Sequence, residues 1–323
     1  MRTARLLWFA AATTALLVST VGPAAAVFPG QPTVSFVRYR GDEAGRVMTM
    51  RPNGTETKTA VPKEAGVDYW SASTSPDGER IVFVRDINGV TDLFVKRAGR
   101  RAKQITDTPG RNEYSPTWSP DGKTIVFMET DEDTYSAIVT RKADGTKRRE
   151  TYRTTLDYVF WPSFSPDGRR VLFSAPRQED DYDLLTMRPD GTGRRWLTDD
   201  DGVNEYAGDW SPDGERVAYL HVPLDPTRAS GSLGSPTPRR GEILLNRIYS
   251  LRSGGGGRRL ITDKPNVFGR VLYTPDGKRV MFSRVTKDDD YHLFSTPVGG
   301  GVFKRLTDRP GLLDVFDWFF GQS

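Results

Sequence analysis

The sequence predicts an all-β chain folded as a six-bladed β-propeller of four-stranded antiparallel blades. Three observations predict it. The tetrapeptide SPDG occurs at Ser75, Ser119, Ser165 and Ser211, with TPDG at Thr274, at spacings of 44, 46, 46 and 63 residues. Such spacings match the roughly 40 to 45 residues of one four-stranded propeller blade. Each copy is followed by a short apolar strand: Ile81-Val82-Phe83, Ile125-Val126-Phe127, Val171-Leu172-Phe173, Val217-Ala218-Tyr219 or Val280-Met281-Phe282. Runs this short and this rich in β-branched and aromatic residues are strands. Finally, partial units at the two ends of the chain add up to one further blade.

In chain order, residues 1–26 have the pattern of a secretory signal. Arg2 and Arg5 precede an apolar run from Leu6 to Leu17, and Ala24-Ala25-Ala26 supplies small residues for cleavage after Ala26. Leu6 to Val21 is short of the roughly 20 apolar residues that span a bilayer and is interrupted by Thr13, Thr14 and Ser19. The expectation is an exported protein, periplasmic or extracellular, with no integral membrane segment once the signal is removed. Residues 27–323 then form the propeller. There is no Cys, so neither a disulfide framework nor a lipid-modified Cys is available. Without Arg2 and Arg5 the 46 basic residues come close to balancing the 42 acidic ones, which carries no nucleic-acid signature.

The first blade starts with Val34-Ser35-Phe36 and Val47 to Met50, which match the second and third strands of a unit with no SPDG before them. Its missing strand is expected at the far end, where Asp314-Val315-Phe316-Asp317-Trp318 resembles the segments before the turns and Asp317-Trp318 repeats Asp209-Trp210. The C-terminal strand would thus complete the N-terminal blade and close the ring, leaving only short, protected edges. In the other five units the turn chemistry explains the motif. Ser suits the first position of a type I turn, Pro fixes φ at the second, Asp tolerates the third and Gly accepts the exit conformation. The turn is scaffold. A third strand follows in each unit (Leu93-Phe94-Val95, Ala137-Ile138-Val139, Leu184 to Met187, Ile248 to Leu251, Leu293 to Thr296). In the later units a Gly hairpin such as Asp144-Gly145 or Asp190-Gly191 leads on to the outer strand.

The SPDG turn, the strand after it and the endings Ile105-Thr106-Asp107, Leu197-Thr198-Asp199, Ile261-Thr262-Asp263 and Leu306-Thr307-Asp308 resemble the WD-like repeat of the TolB-type six-bladed propeller family. The resemblance covers residues 33 to 320. It implies the fold, and it leaves function open, because propellers of this type serve as periplasmic binding proteins, peptidase gating domains and occasional lyases. Few residues separate Ala26 from the first blade, so the small α/β domain that precedes the propeller in that family's namesake is not expected, and a Tol-type transport role does not carry over.

Candidate chemistry is sparse. No Gly-x-Ser-x-Gly elbow, phosphate-binding Gly loop or His-Glu-x-x-His motif occurs, and there are two His. His221 and His292, with Asp290 of the run Asp288 to Asp290, are candidate ligands for a transition metal; the alternative is that both His are solvated loop residues. The clusters Asp131 to Asp133, Glu179 to Asp181 with Asp183, and Asp288 to Asp290 are candidate calcium ligands or solvated hairpin tips. No cofactor is otherwise expected.

The candidate binding surface is the channel entrance. Five residues before the turn Ser stand Trp70, Tyr114, Phe160 and Tyr206, with Glu113, Glu205 and Asp314 beside the position and Arg270 where the pattern breaks. Aromatics with a polar rim suit recognition, and aromatics at a repeated position also suit packing between blades. Both readings stand. Between Tyr219 and Ile248 lies an insertion rich in Pro, Ser and Gly with Arg228, Arg239 and Arg240, and loops this long are usually functional or disordered. The expected role is non-catalytic binding of a protein, peptide or cell-envelope polymer at this face. The alternative is a metal-assisted polysaccharide lyase or hydrolase.

Overall fold

The computed structural model describes residues 17–19, 33–40, 43–131, 135–178, 181–224, 245–286 and 291–307. They form six four-stranded antiparallel sheets. Blade 1 is built of β1 (Leu17–Ser19), β2 (Val34–Arg40), β3 (Glu43–Met50) and β4 (Lys58–Val61). Blade 2 has β5 (Asp68–Thr74), β6 (Arg80–Ile87), β7 (Val90–Arg97) and β8 (Lys103–Gln104). Blade 3 has β9 (Asn112–Trp118), β10 (Thr124–Thr130), β11 (Ser136–Lys142) and β12 (Arg149–Thr154). Blade 4 has β13 (Phe160–Phe164), β14 (Val171–Gln178), β15 (Asp181–Met187) and β16 (Arg195–Trp196). Blade 5 has β17 (Val203–Trp210), β18 (Arg216–Pro223), β19 (Arg247–Arg252) and β20 (Arg259–Thr262). Blade 6 has β21 (Val267–Tyr273), β22 (Arg279–Val285), β23 (Tyr291–Pro297) and β24 (Lys304–Arg305).

The first strand of each blade is innermost, and successive innermost strands pack side by side: β5 on β9, β9 on β13, β13 on β17, β17 on β21. The last of these, β21, also meets β1. On the outside, Lys304 Nζ donates to Asn53 O at 3.5 Å, tying blade 6 to blade 1.

The innermost place in blade 1 departs from the sequence expectation. Leu17↔Val37, Val18↔Phe36 and Ser19↔Ser35 are paired there, so β1 satisfies the inner edge of β2. The segment expected in that place, Asp314 to Trp318, lies outside the described residues, as do Asp290 and the insertion between Leu224 and Leu245.

Every turn motif closes in the same way. The Ser75 hydroxyl donates to the Asp77 carboxylate and accepts the Arg80 N–H at 3.0 Å, and Asp77 Oδ1 also accepts the Glu79 N–H at 3.0 Å. The same hydroxyl–carboxylate bond recurs in Ser119–Asp121, Ser165–Asp167, Ser211–Asp213 and Thr274–Asp276. These bonds hold all five Asp carboxyls below the usual carboxylate range against the opposing effect of burial. The turns also stack around the ring. A Cβ placed on Gly122, Gly168, Gly214 or Gly277 would be in ordinary contact, 3.5 to 3.7 Å away, with Pro76, Pro120, Pro166 or Pro212 of the preceding blade. The aromatic before the turn reaches back as well: Trp118 Nε1 donates to Ser73 O at 2.9 Å and Trp210 Nε1 to Ser163 O at 3.4 Å. The motif therefore fixes the angle between neighbouring blades, using side chains that the turn itself holds.

Candidate functional site

The innermost strands of blades 2 to 6 carry a bulge before the turn, seen as register shifts at Tyr69/Ala72, Val126/Met128 opposite β9, Phe160/Ser163, Tyr206/Asp209 and Phe268/Leu272. Ser115 (φ 52°) and Trp161 (φ 51°) take left-handed backbone there. The extra residue bends the strand and re-aims its side chains. In consequence the entrance aromatics turn into the protein. Tyr114, Phe160 and Tyr206 are 8, 4 and 6% exposed. The Tyr206 ring stands 5.9 Å from Phe160 and 5.1 Å from Tyr182, forming one cluster across the seam between blades 4 and 5. Trp70 is half-buried and donates to Asp86 Oδ2 at 2.9 Å. Glu113, Glu205 and Arg270 are buried too.

The buried acids belong to a joint that recurs between blades. On the blade 2 side, Thr106 Oγ1 accepts the Leu93 N–H at 2.7 Å and stands 3.2 Å from Asp92 Oδ1 and 3.1 Å from Glu113 Oε2 of blade 3. Burial, then the neighbouring Asp92 and Glu129 charges, push Glu113 up to about 8. Thr198 repeats the pattern toward blade 5, accepting the Leu184 N–H at 2.9 Å beside Asp183 and Glu205. Thr307 accepts the Leu293 N–H at 3.2 Å, and His292 takes the place that Asp92 and Asp183 hold in the other blades, its Nδ1 3.1 Å from Thr307 Oγ1. His292 is therefore committed to its own joint in blade 6.

The joint between blades 4 and 5 has more. His221 on β18 is paired with Glu205 on β17, with Nδ1 3.3 Å from Oε1. Asp200, from the connection between the blades, completes a group whose ligand atoms all lie within 4.8 Å of one another. Among the described residues it is the single such group of three. Arg258 donates to Asp200, comes within 3.6 Å of Glu205 Oε1 and lies over the rings of Tyr219 and Tyr249. Behind it, Arg177 bridges Asp183 at 2.7 Å and Asp199 at 2.8 Å. Glu205 has no exposed side-chain surface. Burial and the adjoining Asp200 and Asp183 push its carboxyl up to about 10, so it holds a proton at neutral pH. Burial and the Arg258 charge push His221 down, leaving a neutral imidazole. Asp200 is held low by its bond to Arg258, overcoming its partial burial.

Of the sequence candidates, the structure thus brings Glu205 and His221 together, leaves His292 on a separate blade, and adds Asp200 and Arg258. The signal for Asp200 was the tripled Asp199-Asp200-Asp201, where blades 2, 5 and 6 have one Asp after the Thr. Arg258 carried no signal in the sequence.

The TolB beta propeller domain model matches residues 26–222. This chain belongs to the TolB β-propeller family. TolB from Acinetobacter baumannii superposes on this TolB-family propeller with a TM-score of 0.66 at 17% identity, over 83% of this chain and 61% of that one. An oligogalacturonate lyase in complex with manganese gives 0.60 at 15% identity, over 92% and 86%. The dipeptidyl-peptidase 5 of Porphyromonas gingivalis is 42% identical over 64 residues, which is 18% of this chain and 9% of that protein. This propeller thus spans less than two thirds of the length of both the peptidase and the A. baumannii TolB.

Proposed function

We propose that this TolB-family propeller is an exported protein that binds a divalent transition metal at Asp200, Glu205 and His221 and acts on an acidic polysaccharide as a metal-assisted lyase or hydrolase. The observation that carries the reading is the convergence of two carboxyl groups and an imidazole within 4.8 Å, with the Glu205 side chain fully buried among them. A donor set of two oxygens and one nitrogen suits manganese or zinc. The manganese-containing lyase with the same fold supports the substrate class. The joint between blades 2 and 3 is an internal comparison: it has the Asp, Thr and Glu, and its scaffolding role needs no His, second Asp or Arg.

The residues divide the work. Asp200, Glu205 and His221 would hold the metal, which supplies Lewis-acid polarisation of a substrate oxygen. Glu205 must give up its proton to serve as a ligand, so metal affinity rises with pH. Arg258 is half-exposed beside Asp200, and its planar guanidinium matches a uronate carboxylate. His221, held neutral, has a lone pair free to accept a proton or a metal.

The test is metal content and activity on polygalacturonate. One equivalent of manganese or zinc in the wild type, lost in His221→Ala and Asp200→Asn, with unsaturated uronide released only by the loaded protein, supports the reading. Equal metal content in all three proteins would overturn it. The second reading is non-catalytic binding of a protein, peptide or envelope polymer, favoured by family membership and the match to A. baumannii TolB. Capture of an envelope component by metal-free protein favours that reading. In either case we propose that Asp314 to Trp318 occupies the innermost place of blade 1 once the leader is cleaved after Ala26.

A further inference from the structure

Arg258 stands between the hairpin Gly254 to Gly257 and the outer strand β20, and its backbone is held on both sides. Gly257 O accepts Arg216 Nη2 at 2.8 Å, and Arg259 is paired with Ser250 on β19. The Arg258 side chain is 35% exposed, and its guanidinium carbon lies 5.6 Å from the ring centroid of Tyr249 and 5.9 Å from that of Tyr219. The backbone is thus fixed, while the side chain borders solvent and is free to change rotamer.

A single nitrogen, Nη2, meets both carboxyl groups of the site. It donates to Asp200 Oδ2 and stands 3.6 Å from Glu205 Oε1. That same Glu205 oxygen is 3.3 Å from His221 Nδ1. The guanidinium therefore rests on the carboxyl oxygens of the group that would ligate a metal. A guanidinium stays charged, and a dication a few ångströms away is strongly repelled where water is partly excluded. Metal and guanidinium cannot share Asp200. The second cation of this joint is anchored elsewhere: Arg177 is bound to Asp183 at 2.7 Å, to Asp199 at 2.8 Å and to Thr198 O at 3.1 Å, none of which belongs to the group. Among the described residues Arg258 has one hydrogen bond to give up, that to Asp200.

We infer that Arg258 is the resident cation of the Asp200–Glu205–His221 group, and that a divalent metal enters by displacing its guanidinium, which then becomes available to a substrate carboxylate. The inference rests on the metal reading of that group and adds an order of binding: metal first, acidic sugar second. In the metal-free protein the guanidinium is engaged by Asp200, so an incoming carboxylate competes with an internal one. Once the metal takes Asp200, the freed fork of N–H donors matches a uronate. Room for the metal is made by the departing guanidinium, whose exposed side leads to solvent. By linkage, metal and acidic sugar then tighten each other's binding by the same factor.

The experiment titrates manganese(II) into metal-stripped whole protein by calorimetry at one fixed pH, and then digalacturonate into the same proteins with and without manganese. Arg258→Met keeps an unbranched stem over Tyr249 and removes the charge, and is expected to bind manganese at least about tenfold more tightly than wild type. A residue that merely supports the site would move affinity the other way. Arg258→Lys keeps the charge and is expected to stay within about threefold of wild type; a lysine variant as tight as the methionine one would overturn the inference. Digalacturonate should bind manganese-loaded wild type at least about tenfold more tightly than the metal-free protein, and that gain should be largely lost in Arg258→Met. Manganese bound by wild type and no more tightly by folded Arg258→Met would overturn the inference and leave the metal reading standing. Manganese bound by none of the three proteins would overturn both. Where Arg258→Met does not fold, wild type decides: equal digalacturonate affinity with and without manganese overturns the inference.

Discussion

Gly54 of the first blade lies against the backbone of Leu306, beyond the last strand of the sixth, so closely that a Cβ there would stand 2.5 Å from the Leu306 carbonyl oxygen. Gly191 meets Thr151 O in the same way across the seam between blades 3 and 4, at 2.3 Å. The hairpin glycine of one blade is the seat for the outer strand of the blade before it. Gly89 has a similar φ, +83° against +90°, and open space around it. Gly54→Ala is therefore expected to lower stability by about 2 to 4 kcal/mol, combining backbone strain with overlap, and Gly89→Ala by about 1 kcal/mol. Urea melts of the two variants would separate the terms, and equal losses would mean that blade 1 does not dock on Leu306.

The innermost place beside β2 is held by Leu17–Ser19, which the proposed cleavage after Ala26 would remove. Phe36 and Val37 on that edge are fully buried and need a cover. A mature protein starting at Val27 and lacking residues 312–323 is expected to melt well below one that keeps them. An unchanged Tm in the truncated protein would refute closure by the C-terminal strand.

Glu113 gives the ring a pH dependence of known sign. Its carboxyl is raised from 4.5 to about 8 in the folded protein, so the native state holds a proton that the unfolded chain releases. The stability it contributes is complete below pH 4.5 and is lost as pH rises to about 8. The loss is on the order of a few kcal/mol. Glu113→Gln replaces the protonated acid with a neutral group of the same shape. Its stability relative to wild type should rise with pH across that window. A constant difference from pH 5 to pH 8 would show that Glu113 is ionised in the native protein.

The blade count was legible because SPDG is local chemistry: Pro76 and Gly78 set their own backbone angles, and Ser75 and Asp77 bond within the turn. The spacing then counted the blades, and the insertion after Leu224 lengthened one interval without adding a blade. The candidate site was only half legible. His221 and Glu205 could be named, but their pairing follows from the antiparallel register of β17 and β18, and Asp200 and Arg258 join them through the docking of blade 5 on blade 4. Arg270 was visible as a break in the aromatic pattern. Its reach to Pro162 spans 108 residues of sequence, a relationship created by the docking of blades 4, 5 and 6 on one another.

The fate of the entrance aromatics can be decided directly. Tyr206 packs against Tyr182, Phe160 and Trp161, at centroid distances of 5.1, 5.9 and 6.4 Å, and Tyr114 is buried in the same core cluster. Truncating a buried aromatic to Ala costs about 3 to 5 kcal/mol, the lost transfer free energy plus the cavity left behind. Tyr114→Ala and Tyr206→Ala should each lose about that much, and Trp70→Ala, half-exposed and bonded to Asp86, less. Denaturant melts of the three proteins measure the difference. Losses below about 1 kcal/mol for both tyrosines would show that their rings contribute little packing and are free for a partner. Losses of the expected size, with Trp70→Ala still folded, leave Trp70 as the entrance aromatic on which partner binding can be measured without unfolding the ring.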